Sequence, residues 1–248
     1  MLEDACPAVS PFEEDLERFL TAWYGPPDRP ARGLPSWHPD PCVPEALAAW
    51  HRQAARWRYP VAGVNRMLRA DERWTDADVQ VIYCEPGGAW LWGIPHGLVG
   101  GGPGADPDPP VLERDPGAGA WTATGERLGD FLLHVALVEA ILGAPARLGL
   151  DDADAHQVRE LTADMAAVRV PPWRWPGPRH TLWQRGPVLA LTCVNRLPDS
   201  EVTPGCTWWV VIGARDAADL DFARDLGIRF DVDTCPSPVP GGAGPDEP

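Results

Sequence analysis

Val79-Gln80-Val81-Ile82-Tyr83-Cys84-Glu85-Pro86-Gly87-Gly88-Ala89-Trp90-Leu91-Trp92-Gly93-Ile94 is the stretch whose reading decides the fold. Val79, Val81 and Tyr83 alternate with Gln80, Ile82 and Cys84, Glu85 to Gly88 supply turn residues, and Ala89 to Ile94 returns. A period of two on either side of a Pro-Gly-Gly turn predicts a β-hairpin. Segments 109–114 and 120–122 predict shorter strands. Phe131, Leu132, Val135, Val138, Ile141 and Leu142 then recur at helical spacing and stop before Gly143. Leu133, Ala136 and Leu137 fill the other faces, so this helix is expected to be covered on most sides. Strands followed by such a helix make a sheet with a helix laid across it.

Working outward, Ser10-Pro11-Phe12-Glu13 reads as a helix start, with Ser10 as cap, Pro11 in the first turn and Glu13 reaching back as in a capping box. Phe12, Leu16, Phe19, Leu20 and Trp23 form one face, ended by Gly25-Pro26-Pro27. A second helix, from about Pro44 to Arg58, aligns Leu47, Trp50, Ala54 and Trp57. Each helix offers an aromatic stripe to a common core. Residues 95–107 are a Gly-rich excursion lacking the Lys and following helix that a phosphate-binding loop needs, so a surface loop is expected.

Downstream, Asp151 to Met165 predicts a helix, 188–194 and 207–212 two buried strands, 217–226 a helix and 228–232 a last strand. The expected architecture is α+β: a twisted, largely antiparallel sheet with helices on one side, in residues 1–148. A C-terminal α+β subdomain over 149–234 would pack against it or extend its sheet, and 235–248, rich in Pro, Gly and acid, is expected to be a disordered tail.

The order Asp108-Pro109-Pro110-Val111, Trp121, then Asp130-Phe131-Leu132-Leu133, after a strand ending Trp90-Leu91-Trp92, resembles the SUKH superfamily, the SMI1/KNR4-like proteins, over roughly Pro11 to Gly143. The resemblance implies an α+β domain and, as in many bacterial members, a role as immunity protein against a polymorphic toxin.

Composition narrows the partners. The formal charge is −15, and all 21 basic residues are Arg. A nucleic-acid backbone is therefore an unsuitable partner, and a basic protein suits better. With 30 Pro and 25 Gly, the all-Arg usage looks like the codon bias of a GC-rich genome. The N-terminal residues lack the basic start and apolar core of a signal peptide, and no window has the length of a membrane span, so a cytoplasmic chain without membrane contact is expected. The 6 Cys are scattered without a C-x-x-C pair and read as free thiols.

No catalytic constellation is expected. Ser10, Ser36, Ser200 and Ser237 lie outside any G-x-S-x-G elbow. Asp130 and His134, four apart, share a helical face and form half of an acid/base unit; the plainer reading has Asp130 complementing the helix N-terminus and His134 at the surface. His180 and Cys193 are a remote base and thiol pair, with Cys193 in an apolar run that makes it inert. The His residues are too scattered to propose a zinc site, and no cofactor is expected.

Of 13 Trp, Trp23, Trp50, Trp57, Trp90, Trp92 and Trp121 fit core stripes. Trp173 and Trp175, in a Pro-held loop, are the candidate partner-binding anchors. Glu72, Asp76 and Asp78 before the hairpin, with Asp106 and Asp108 after it, are expected to rim one end of the sheet and steer a basic toxin. The expected function is a non-catalytic protein-binding module that covers a toxin's active site. The alternatives are a small enzyme or ligand sensor with a site between the two halves using Asp130, His134 or His180, and a regulatory adaptor unrelated to toxins.

Overall fold

The computed structural model describes residues 11–30, 43–98, 106–115, 117, 119–171, 173–175, 180–195 and 206–234. Among them lie two antiparallel sheets of six strands each, and the fold is α+β. The first sheet contains β1 (Arg66–Met67), β2 (Thr75–Asp76), β3 (Val79–Cys84), β4 (Leu91–Pro95), β5 (Pro110–Arg114) and β6 (Thr122–Arg127). Its order is β1-β3-β4-β5-β6, with β2 also on β3. The second contains β7 (Ala146–Ala153), β8 (Ala166–Val168), β9 (Thr181–Arg185), β10 (Val188–Val194), β11 (Trp208–Ala214) and β12 (Val232–Thr234), in the order β12-β7-β11-β10-β9-β8.

The expected hairpin is β3 and β4, with one departure from strict alternation. A register shift between Val81 and Tyr83 turns Ile82 and Tyr83 both toward the helices and leaves Val81 and Cys84 with Leu91 on the outer face. Gly93 is required there, because a Cβ would lie 2.5 Å from the Val79 side chain and 2.6 Å from the Gln80 carbonyl oxygen.

Helices α1 (Pro11–Tyr24), α2 (Glu45–Ala54) and α3 (Leu128–Leu142) cover the inner face of the first sheet. The other side of α3 lies on β10 and β11, where Leu189, Leu191, Cys193 and Val211 join the same core. Beyond its first turn, where Asp130 is exposed, a helix held between two sheets has no wet side, which is why the rest of its sequence has no polar face. Burying Phe131, Leu132, Val135, Val138 and Ile141 completely stabilises the fold by roughly 1.5–3 kcal/mol per side chain before chain entropy is subtracted. Close approach at the far end of α3 depends on Gly213, since a Cβ there would meet Ala144 at 2.7 Å and the Ile141 carbonyl at 2.9 Å. The far face of the second sheet is covered by α4 (Ala155–Thr162) and α5 (Asp221–Arg224).

Several expectations are corrected. The second half builds its own sheet and does not extend the first, and a division at 148/149 falls inside β7. The helix expected from Asp151 begins at Ala155. Asp154 caps it by accepting from the His156 and Gln157 backbone, while Asp151 to Ala153 belong to β7. Glu13 accepts from Arg52 at 3.1 Å and Gln53 at 3.0 Å and so ties α1 to α2, whereas its expected pairing with Ser10 falls outside the described residues. The last strand begins at Val232, not Ile228. Ser10, residues 99–105 of the Gly-rich excursion and the tail 235–248 lie outside the described residues.

Candidate functional site

The chemistry-bearing side chains of α3 are His134 and Glu139, both buried. His134 Nδ1 lies 3.0 Å from Glu126 Oε1, and its Nε2 lies 2.9 Å from His180 Nε2. Glu126 enters from β6, whose inward positions are Thr124 and Glu126, and His180 stands just before β9. The Trp173 indole N–H donates to the other Glu126 oxygen at 2.5 Å, and its ring packs on His134 with centroids 3.8 Å apart. Burial pushes Glu126 up to about 7 and His134 down to about 3. Both shifts favour the neutral forms, so the pair shares a proton without separating charge. The arrangement can relay a proton from Glu126 through His134 to His180, but all three side chains are sealed in the core.

The Asp130 and His134 pairing is corrected, as is the surface position for His134. Asp130 is exposed, and His134 turns inward to Glu126. His180 meets His134 and not a Cys193 thiolate, for burial pushes that thiol up to about 12. Trp173 is corrected too. It is 1 % exposed and packs against Phe131, Trp92 and His134, so it is core and offers no surface to a partner. Trp175 is half-buried, edge-on to Trp92 at 5.6 Å. Among the described residues no group of three or more His, Cys, Asp or Glu side chains gathers as a metal site, and no helix is long and apolar enough to cross a membrane.

The second buried network was not anticipated. Glu139 accepts from the backbone N–H groups of Gly63 and Val64 at 2.8 Å, of Asn65 at 2.9 Å, and from the Tyr83 hydroxyl at 2.6 Å. It holds the segment between α2 and β1 against α3. Burial lifts its carboxyl pKa, and the donors pull it back.

Most of the acidic rim is internally paired. Glu72 bonds Arg69 at 3.0 Å, and Asp76 takes Arg114 and the Trp121 indole. Asp106 chelates Arg127 at 2.8 and 2.9 Å. Asp108 accepts from the Gly129 backbone at 2.8 Å and so caps α3 from a distance. Asp78 is exposed. Because β3 and β5 both run antiparallel to β4, Asp78 and the pair Asp106 and Asp108 enter the sheet from the same end, while Glu72 is drawn away toward Arg66. Beside Asp108 a groove of about 400 Å³ opens between the starts of α1, α2 and α3. Phe12 and Leu133 are among its apolar walls, and Asp15, Glu45, Asp108 and Asp130 surround them.

Compared with family models, with curated proteins and with solved structures, the chain matches none. The α+β class therefore rests on the architecture, and the role rests on the surface.

Proposed function

We propose that the chain is a non-catalytic protein-binding module of the SUKH type, acting in the cytoplasm as an immunity protein that covers the active site of a basic toxin. The observation that carries this reading is the groove between the three helix starts. Asp15, Glu45 and Asp108 have guanidinium partners in Arg18, Arg52 and Arg127, and Asp130 has no ion pair among the described residues. An Arg or Lys entering from a partner finds a carboxylate for its head and Phe12 and Leu133 for its stem. The net charge of −15 adds long-range attraction to a basic surface. Asp78 lies exposed on the same end of the sheet, whereas Glu72, Asp76, Asp106 and Trp173 are already engaged within the fold.

Co-expression with a toxin encoded by a neighbouring gene is the test. Growth should be restored, and Asp130→Arg combined with Asp15→Arg should slow association about tenfold or more at low salt. Toxicity that persists alongside folded, well-expressed protein discards immunity against that toxin. Association indifferent to both charge reversal and salt discards the groove.

A further inference from the structure

Glu126 on β6, His134 on α3 and His180 just before β9 are buried in a row, and the two contacts that join them fix each other's direction. His134 Nδ1 faces Glu126 Oε1 at 3.0 Å, and its Nε2 faces His180 Nε2 at 2.9 Å. A hydrogen bond holds one hydrogen, and a neutral imidazole carries one N–H and one bare nitrogen. Whichever way the first bond points, the second must follow.

The other Glu126 oxygen decides where a carboxyl proton sits. The Trp173 indole can only donate, and it claims Oε2 at 2.5 Å, so a proton on the carboxyl belongs to Oε1, toward His134. Two arrangements result. With Glu126 neutral, Oε1–H donates to His134 Nδ1, His134 Nε2–H donates to His180 Nε2, and His180 carries its hydrogen on Nδ1. With Glu126 ionised, His134 donates from Nδ1 to the carboxylate, and His180 donates from Nε2 to His134. Burial brings Glu126 up to about 7 and holds His134 neutral down to about 3, so both arrangements are populated near neutrality and His134 is an imidazolium in neither. The neighbouring elements direct their charges elsewhere. On the same inner face, Glu113 of β5 takes the Arg174 backbone N–H at 3.3 Å, and the Arg174 guanidinium pairs with Asp115 at 3.2 Å. Arg114 pairs with Asp76 and Arg127 with Asp106, Arg185 of β9 lies over Phe222, and on α3 Glu139 turns to the 63–65 backbone while Asp130 is exposed.

We infer that Glu126, His134 and His180 are a single proton switch, in which the charge of the buried carboxyl is set through His180 and the direction of both hydrogen bonds reverses with it. On ionisation the Oε1 proton passes to His134 Nδ1, the His134 Nε2 proton passes to His180 Nε2, and the proton of His180 Nδ1 is given up to solvent. Three hydrogens become two, the charge falls by one, and no bond between heavy atoms changes. Uptake runs the same path backward. Both Glu126 oxygens are engaged, on Trp173 and His134, so His180 is the end of the row at which a proton is exchanged. The heavy atoms keep their places, and the core accepts the change of charge without repacking. The protein-binding reading does not depend on this switch.

The test is nitrogen NMR of the full chain carrying isotope-labelled histidine, from about pH 5.5 to about pH 8.5. With rising pH, His134 should pass from the Nε2–H to the Nδ1–H tautomer and His180 from Nδ1–H to Nε2–H. Each ratio should change about tenfold per pH unit around one shared midpoint near 7. In Glu126→Gln the amide oxygen takes the Trp173 N–H and the amide NH₂ donates to His134 Nδ1, so both rings should keep the low-pH tautomers throughout. The carboxyl-carbon shift of Glu126 in the wild type should follow the same midpoint, and that reading decides the matter where the variant does not fold. The proposal is overturned by rings that hold one tautomer across the range, by separate midpoints for the two rings, by an imidazolium form of either ring, by a Glu126 carboxyl that does not titrate with them, or by a reversal that survives Glu126→Gln.

Discussion

Replacing Glu139 with Gln exchanges one oxygen for an amino group at a place where every neighbour is a donor. Two backbone N–H groups, of Gly63 and Val64, point at one carboxylate oxygen, and the Asn65 N–H and Tyr83 hydroxyl point at the other. The best an amide can do is keep its oxygen on Gly63 and Val64 and turn its NH₂ toward Asn65 and Tyr83. The tyrosine hydroxyl can rotate to accept, but the Asn65 N–H cannot. One buried donor is left unmatched, costing about 1–3 kcal/mol, and two surviving bonds lose charge assistance at about 1 kcal/mol each. Relief from burying a charge offsets part of this, for a net loss of about 3 kcal/mol. In a chain of this size that lowers the melting temperature by about 6–12 °C. Thermal and urea unfolding followed by far-UV CD and Trp fluorescence reads the loss, provided the two probes coincide. Tyr83→Phe should cost less, about 1 kcal/mol, and combine non-additively with Glu139→Gln. A loss below about 1 kcal/mol for Glu139→Gln would refute the reasoning. It would mean the carboxyl is held as a neutral acid, for which an amide is a close substitute.

Trp173→Ala should cost about 3–5 kcal/mol, because it opens a cavity beside Phe131 and frees a Glu126 oxygen; Trp175→Ala, at a half-buried ring, should cost less, and equal small losses in thermal unfolding would contradict the core placement of Trp173. For His134→Gln the informative quantity is the stability gap to wild type as a function of pH. His134 is held neutral down to about 3, while in the unfolded chain it titrates near 6.5. Its contribution is therefore present above about 6.5 and lost as pH falls toward about 3, at about 1.4 kcal/mol per unit. The gap should narrow on acidification, and a gap that widens would mean that Glu126 and His134 form a charged pair instead.

How much of this was legible follows from where each signal sits. The hairpin of β3 and β4 and the body of α3 announce themselves because period-two and period-3.6 patterns are local. The bulge at Ile82 and Tyr83 was not legible, since one residue of slip leaves composition unchanged. Strand β7 hid because Ala146, Leu148 and Leu150 face one core while the run Asp151 to Asp154 looks like a helix start. Glu126 was missed because the strand expected at 120–122 runs on to Arg127 through a polar stretch with Gly125 at φ 86°, which reads as a turn. The Trp173 misreading has a different cause: a Pro-held loop shows no periodicity whether its rings point out or in.

The position of His134 was within reach. A helix with Phe131, Leu132, Leu133, Val135, Ala136, Leu137 and Val138 around one histidine has no side left for water, so the ring must be buried and must find a partner. Glu139 obeys the same logic one turn on. Their partners are necessarily groups brought in from elsewhere, since α3 itself offers none. For His134 these are Glu126 and His180, with Trp173 covering the pair; for Glu139 they are the 63–65 backbone and Tyr83. Apolar contacts would let the second sheet slide over α3 at little cost, whereas an imidazole 2.9 Å from His180 admits one register. The two buried ionisable residues of α3 therefore set how the outlying segments dock, His134 through β6 and the start of β9, and Glu139 through the segment that leads into β1.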